Sequence, residues 1–157
     1  MEKDLIEWVN RISEKREALG GFSICPFAKK AMEEKKIYFS HIGFDVEKYI
    51  LNFVDSTPDD FELIAFFDIE KGLTDDDLLY YIEEMQKKRP ELIFLKDHPN
   101  NPGFINGVET GNKNYPAILV QPRNKLEEAR EKLKKTKYYD IWDDDYKEEI
   151  WSYGYER

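Results

Sequence analysis

A chain of 157 residues is about the size of one ordinary domain and is long enough to bury a real core. Its 41% apolar and 15% aromatic residues exclude a disordered chain despite 36% charged residues. A net charge of −9 argues against a nucleic-acid or anionic-membrane surface, since both need clustered positive charge.

Leu5, Trp8, Val9, Ile12 and Leu19 recur at helical spacing, so Asp4 to Leu19 reads as an amphipathic helix closed by Gly20-Gly21. Pro26 suits a first helical position and opens a second helix through Ala31, Met32 and Glu34. Ile37 to Ile42 is a short β-rich run, and Val46, Tyr49, Ile50, Phe53 and Val54 mark one face of a helix stopped by Ser56-Thr57-Pro58. Phe61 to Phe67 is apolar apart from Glu62, the pattern of a strand covered on both faces, and is the candidate central strand. Thr74-Asp75-Asp76-Asp77 reads as a helix start, with Thr74 as cap and the acids on the positive end of the dipole. An acidic metal site there lacks the Gly-containing calcium-loop pattern. Leu78, Leu79, Tyr81, Ile82 and Met85 supply that helix's buried face, and Pro90 ends it before a strand at Leu92 to Leu95.

The regularity then stops. Asp97 to Tyr115 gathers Pro99, Pro102, Gly103, Gly107 and Gly111 with Asn100, Asn101, Asn106, Asn112 and Asn114, a long loop of the kind more often functional than not. Tyr115-Pro116, a candidate cis bond, leads into a strand at Ala117 to Val120. Asn124 is placed to cap a last helix with Leu126, Ala129 and Leu133 inward. Tyr138 to Tyr155 combines Tyr138, Tyr139, Trp142, Tyr146, Trp151 and Tyr153 with a run of acids. Rings at this density are expected to fold back as a C-terminal arm with Trp142 and Trp151 largely buried; the alternative is a tail that binds a protein partner. Helices alternating with strands give an α/β fold: a single domain of about four main strands with helices packed on the sheet.

The chemistry centres on Gly20 to Lys30. Cys25 would stand at or just before a helix start, where unpaired N–H groups and the dipole favour a thiolate, so a partly exposed thiol of lowered pKa is expected. The other reading is a buried free cysteine acting as a small apolar side chain. His98 is the candidate base, aided by Asp97, unless it caps a turn. The loop after Leu95 is expected to lie over the start of the Cys25 helix, since loops at the carboxyl ends of strands form the ligand crevice of open α/β sheets. The candidate catalytic residues are therefore Cys25, His98 and Asp97; the candidate ligand-binding residues are Pro26, Lys29, Asn100, Asn101, Asn106 and Tyr115. Lys29, Lys30, Lys35 and Lys36 also read as a solvated helix face, and His41 as a packed core histidine. No nucleotide-loop, zinc-protease or nucleophile-elbow motif occurs, and one cysteine with two histidines falls short of a structural zinc set. No metal and no cofactor is expected. The single thiol, with neither a charged-then-apolar start nor a long apolar run, points to a reducing cytoplasm.

Cys25-Pro26-Phe27-Ala28 after an amphipathic helix, the apolar strand near Leu63 to Phe67, Asp97-His98-Pro99, and Tyr115-Pro116 leading into Ile118-Leu119 resemble a family of bacterial proteins catalogued as domain of unknown function 1415. The likeness spans roughly residues 5 to 135. It departs where the family's Phe-His-Pro is Asp97-His98-Pro99 and in the acidic aromatic tail beyond Thr136. It implies the fold and a site around Cys25, but no reaction. Phe22 to Ala31 is also similar to the active-site segment of glutaredoxins, with Tyr115-Pro116-Ala117 as the proline before a strand. Ala28 replaces the second cysteine, so this second likeness implies a monothiol redox protein dependent on an outside thiol such as glutathione. Three functions stand open: a small-molecule site with thiol-dependent catalysis, a redox protein, and a non-catalytic binding or adaptor domain using the loop or the arm.

Overall fold

The structure, a computed structural model, describes residues 1–142 and 144. It is an α/β fold. Among the described residues five α-helices, α1 (Glu2–Ile12), α2 (Ala28–Glu33), α3 (Val46–Asp55), α4 (Asp75–Lys88) and α5 (Arg123–Lys134), accompany six strands. The strands are β1 (Ile37–His41), β2 (Leu63–Phe67), β3 (Leu92–Asp97), β4 (Phe104–Ile105), β5 (Val108–Glu109) and β6 (Ala117–Pro122). The main sheet runs β1-β2-β6-β3, with β1 parallel to β2 and β6 antiparallel to both its neighbours. The apolar run ending at Phe67 is thus an interior strand, as its pattern predicts. β1-α3-β2 and β2-α4-β3 step the same way across the sheet, and right-handed crossovers then put α3 and α4 on one face.

Strand alternation divides the core in two. Ile64, Phe66, Phe94, Ile118 and Val120 pack with Ile50 and Val54 of α3 and Leu78, Ile82 and Met85 of α4. On the other face Ala65, Phe67 and Ala117 meet Leu5, Trp8, Val9 and Ile12 of α1 and Ala28 of α2. No helix among the described residues is long and apolar enough to cross a membrane.

Thr74 caps α4 as predicted: its hydroxyl accepts from the Asp77 N–H at 3.0 Å, and the Asp77 carboxylate accepts from the Thr74 N–H at 2.9 Å. Thr74→Ala is expected to lower stability by about 1 kcal/mol, read as a shift of the urea midpoint at unchanged slope. Asp75 holds the Lys96 ammonium at 2.7 Å and the Asn101 carboxamide at 3.0 Å. Burial alone would raise the Asp75 carboxyl, but those bonds and the Lys96 charge hold it below the usual carboxylate range.

Several boundaries differ from the sequence reading. α1 stops at Ile12 rather than Leu19, because the returning chain takes the Ile12 carbonyl through the Cys25 N–H at 2.9 Å. Leu19 is buried from a separate 3-10 turn, Glu17–Leu19, which closes at Gly20 in the left-handed region (φ 66°). α2 begins at Ala28, not Pro26. α5 is preceded by Pro122 rather than capped by Asn124, since the Arg123 N–H still bonds the Glu91 carbonyl at 3.0 Å beside β3. Tyr115-Pro116 is trans, and no peptide bond among the described residues is cis. His41 is exposed, ending an edge strand, its ring 5.4 Å from Tyr49 instead of packed in a core. The start of the arm does fold back. Tyr138 is buried, its hydroxyl donates to the Ile24 carbonyl, and its ring meets Phe22 edge-on at 5.7 Å. Trp142 is half-buried against Tyr138 and Tyr139 rather than largely buried. Trp151 lies outside the described residues.

Candidate functional site

Cys25 sits three residues before α2, half-buried, and packs against the α1–α2 core. Burial pushes its thiol above the ordinary value; backbone hydrogen bonds at Phe27 and Ala28 oppose this and are outweighed. The expected thiolate is thus reversed in direction. The N–H groups that would favour charge belong to a helix of only six residues, while the apolar layer against the sheet disfavours it. Pro26 and Lys29 are exposed beside it.

Asp97 and His98 are neighbours in sequence and opposed in space. Asp97 is in register with Ala117, on the α1 side of the sheet, and Lys96 with Ile118, on the α4 side. Alternation sends His98 with Lys96. Its Nδ1 accepts the Asn100 N–H at 3.1 Å, so Nε2 carries the proton and donates to the Leu73 carbonyl at 2.9 Å. Both nitrogens are occupied in a ring only 8% exposed. Cys25 packs on the other face of the sheet, so the structure does not bring the thiol and the imidazole together.

Asp97 instead organises the loop. Its Oδ2 accepts the Asn112 N–H at 2.8 Å and the Asn112 Nδ2 at 2.6 Å. Asn112 Nδ2 also donates to the Tyr115 carbonyl at 3.0 Å, and its Oδ1 accepts the N–H groups of Asn114 and Tyr115 at 3.0 and 2.9 Å. A Cβ on Gly111 would lie 2.3 Å from Asp97 Oδ1, so any larger residue there would force the Asp97 carboxylate to shift from its bonds to Asn112. Burial pushes the Asp97 carboxyl up against the pull of the Asn112 bonds.

The loop then lies along α1, not over the start of α2 as expected. Trp8 Nε1 donates to the Thr110 carbonyl at 3.0 Å, and Arg11 donates to the carbonyls of Glu109 at 2.9 Å and of Gly111. Asn106 Nδ2 donates to the Ala18 carbonyl at 2.7 Å, and the Tyr115 hydroxyl to Asp4 at 3.2 Å. That bond and the Asp4 charge raise the Tyr115 phenol. β4 and β5 form a hairpin whose turn residues Asn106 and Gly107 have φ of 47° and 84°. Asn100, Asn101, Pro102, Phe104 and Asn106 face solvent, Phe104 at 50% exposure. The sequence reading missed Trp8 and Arg11, although a buried indole N–H needs an acceptor and residues three apart share a helix face.

At the other end of the strands an open cleft of about 530 Å3 is lined by Asp55, Phe61, Arg89, Leu92, Arg123 and Glu127 among others. Its charges are met locally: Arg89 pairs with Asp55 at 2.9 Å and Glu91 at 2.5 Å, and Arg123 Nε donates to the Pro90 carbonyl at 2.7 Å. None of the candidate residues lines it. No family model, curated protein or solved structure matches the chain. The resemblances carried by Cys25-Pro26-Phe27-Ala28 and Tyr115-Pro116 therefore stand on those motifs alone.

Proposed function

We propose that this chain is a non-catalytic binding module for a protein or peptide partner, with the loop from His98 to Asn114 as its contact surface and Phe104 as its anchor. One observation carries the reading. A loop that has almost no regular structure of its own is pinned by Trp8 and Arg11 from about a hundred residues away in sequence, |i−j| of 102 and 98, while Phe104 stays half exposed among asparagines. A backbone fixed beforehand lowers the ordering cost of association. An aromatic anchor among small hydrogen-bonding side chains is the composition of adaptable contact surfaces. In this reading Cys25 is a packing residue and His98 a loop brace, and the single thiol suits a reducing cytoplasm.

A photo-crosslinking residue at position 104, in cells that make the protein, is expected to yield a discrete adduct. The same label at Tyr80, 61% exposed on α4, should yield none, and Arg11→Ala should abolish the adduct at 104. No adduct at 104, or equal adducts at 80 and 104, would overturn the reading.

The thiol is tested separately. Alkylation of Cys25 against pH is expected to report an apparent pKa at or above the free value of about 8.5, unchanged in His98→Ala. A lower value that moves with His98 would return the thiol-dependent enzyme, and a lower value alone the monothiol redox protein.

A further inference from the structure

Asn106-Gly107 is the chain's one Asn-Gly pair, and the fold sets it at an exposed hairpin turn. Such a two-residue turn needs positive φ at both positions, which asparagine and glycine tolerate. Two features bear on its chemistry. The Gly107 N–H donates to no backbone acceptor among the described residues. Gly107 is exposed, and nothing beyond its chain neighbours lies within 4 Å of where its Cβ would stand, so no side chain crowds the turn on that side. Among the described residues the Asn106 carboxamide is held by its bond to the Ala18 carbonyl at 2.7 Å.

We infer that Asn106 is a self-modification site whose conversion releases the hairpin tip from the 3-10 turn Glu17–Leu19. The Gly107 amide nitrogen attacks Asn106 Cγ. A C–N bond forms, the Cγ–Nδ2 bond breaks, and the proton lost by Gly107 leaves on ammonia. Water then opens the resulting five-membered succinimide at either carbonyl, giving aspartate or isoaspartate. The net change is one water consumed and one ammonia released, with no oxidant or reductant. The carboxylate so formed has no proton for the Ala18 carbonyl, so a donor–acceptor contact becomes two facing acceptors and the tip detaches. This holds whether or not the loop binds a partner.

The test is ageing of the folded full chain in mildly alkaline buffer, followed by peptide mapping that separates asparagine, aspartate and isoaspartate at each site. Exposed Asn114 and Asn124, followed by Tyr115 and Lys125, serve as references in the same digest. Conversion at 106 is expected on the order of tenfold faster than at either, because glycine leaves the attacking nitrogen unhindered. Conversion no faster than at the references overturns the site. Amide exchange at Gly20 and Gly21, which bond back to Glu17 and Arg16, reads the release. It should rise in aged protein and in Asn106→Ala, which removes the donor without the chemistry. Unchanged exchange in both overturns the release.

Discussion

Asn112→Ala is expected to cost about 3 kcal/mol and to free the loop from the end of β3. Asn112 is 4% exposed, and its side chain alone joins Asp97, Asn114 and Tyr115. Removing it leaves the partly buried Asp97 carboxylate short of a donor and two N–H groups without their acceptor. In Asp97→Ala/Asn112→Ala the second change no longer strands a partner, so the double variant should lose less than the sum of the singles. Urea unfolding of the four proteins measures this coupling.

Two partly buried carboxylates pull pH dependence in opposite directions. Asp97 is raised in the folded state, so its contribution is full below the unfolded pKa of about 3.9 and is lost as pH rises through the higher folded value. Asp75 is lowered, so its contribution is present above that unfolded value and is lost as pH falls through the lower folded one. Asp97→Asn and Asp75→Asn should therefore change the slope of unfolding free energy against pH with opposite sign. Equal slopes in both variants would refute the assignment.

Trp8→Ala should be the most damaging substitution on α1, at about 3–5 kcal/mol. Trp8 is 5% exposed, meets Phe67 edge-on at 6.5 Å and holds Thr110. Trp8→Phe separates the two roles: most of the ring contact survives and the indole donor is lost, for about 1 kcal/mol. Urea midpoints give both costs, and faster exchange confined to the loop around Thr110 in Trp8→Phe identifies the second.

Much of the scaffold was legible in the chain. The apolar run to Phe67 announced an interior strand, and Thr74 ahead of three acids announced a capped helix, because both signals are local. Leu19 shows the limit of such reasoning: its helical spacing reported burial, while continuity of the helix depended on Cys25 reaching the Ile12 carbonyl. The site misled for a different reason. Asp97 and His98 were read as one chemical unit, although successive residues leaving a strand point to opposite faces, a rule available without coordinates. Cys25 was placed by its proline, but the charge state of a thiol follows from what packs on it, which is a tertiary fact. The brace from Trp8 and Arg11 joins positions about a hundred residues apart and has no local signal beyond an indole that needs an acceptor.

Backbone 15N relaxation across residues 103–112 tests most directly whether this loop is a preformed surface. A loop held by Trp8, Arg11 and the Asp97–Asn112 pair should give order parameters near those of β2, about 0.85, falling selectively in Arg11→Ala. Values below about 0.6 in the wild-type chain would mean a flexible loop and would contradict a preformed contact surface.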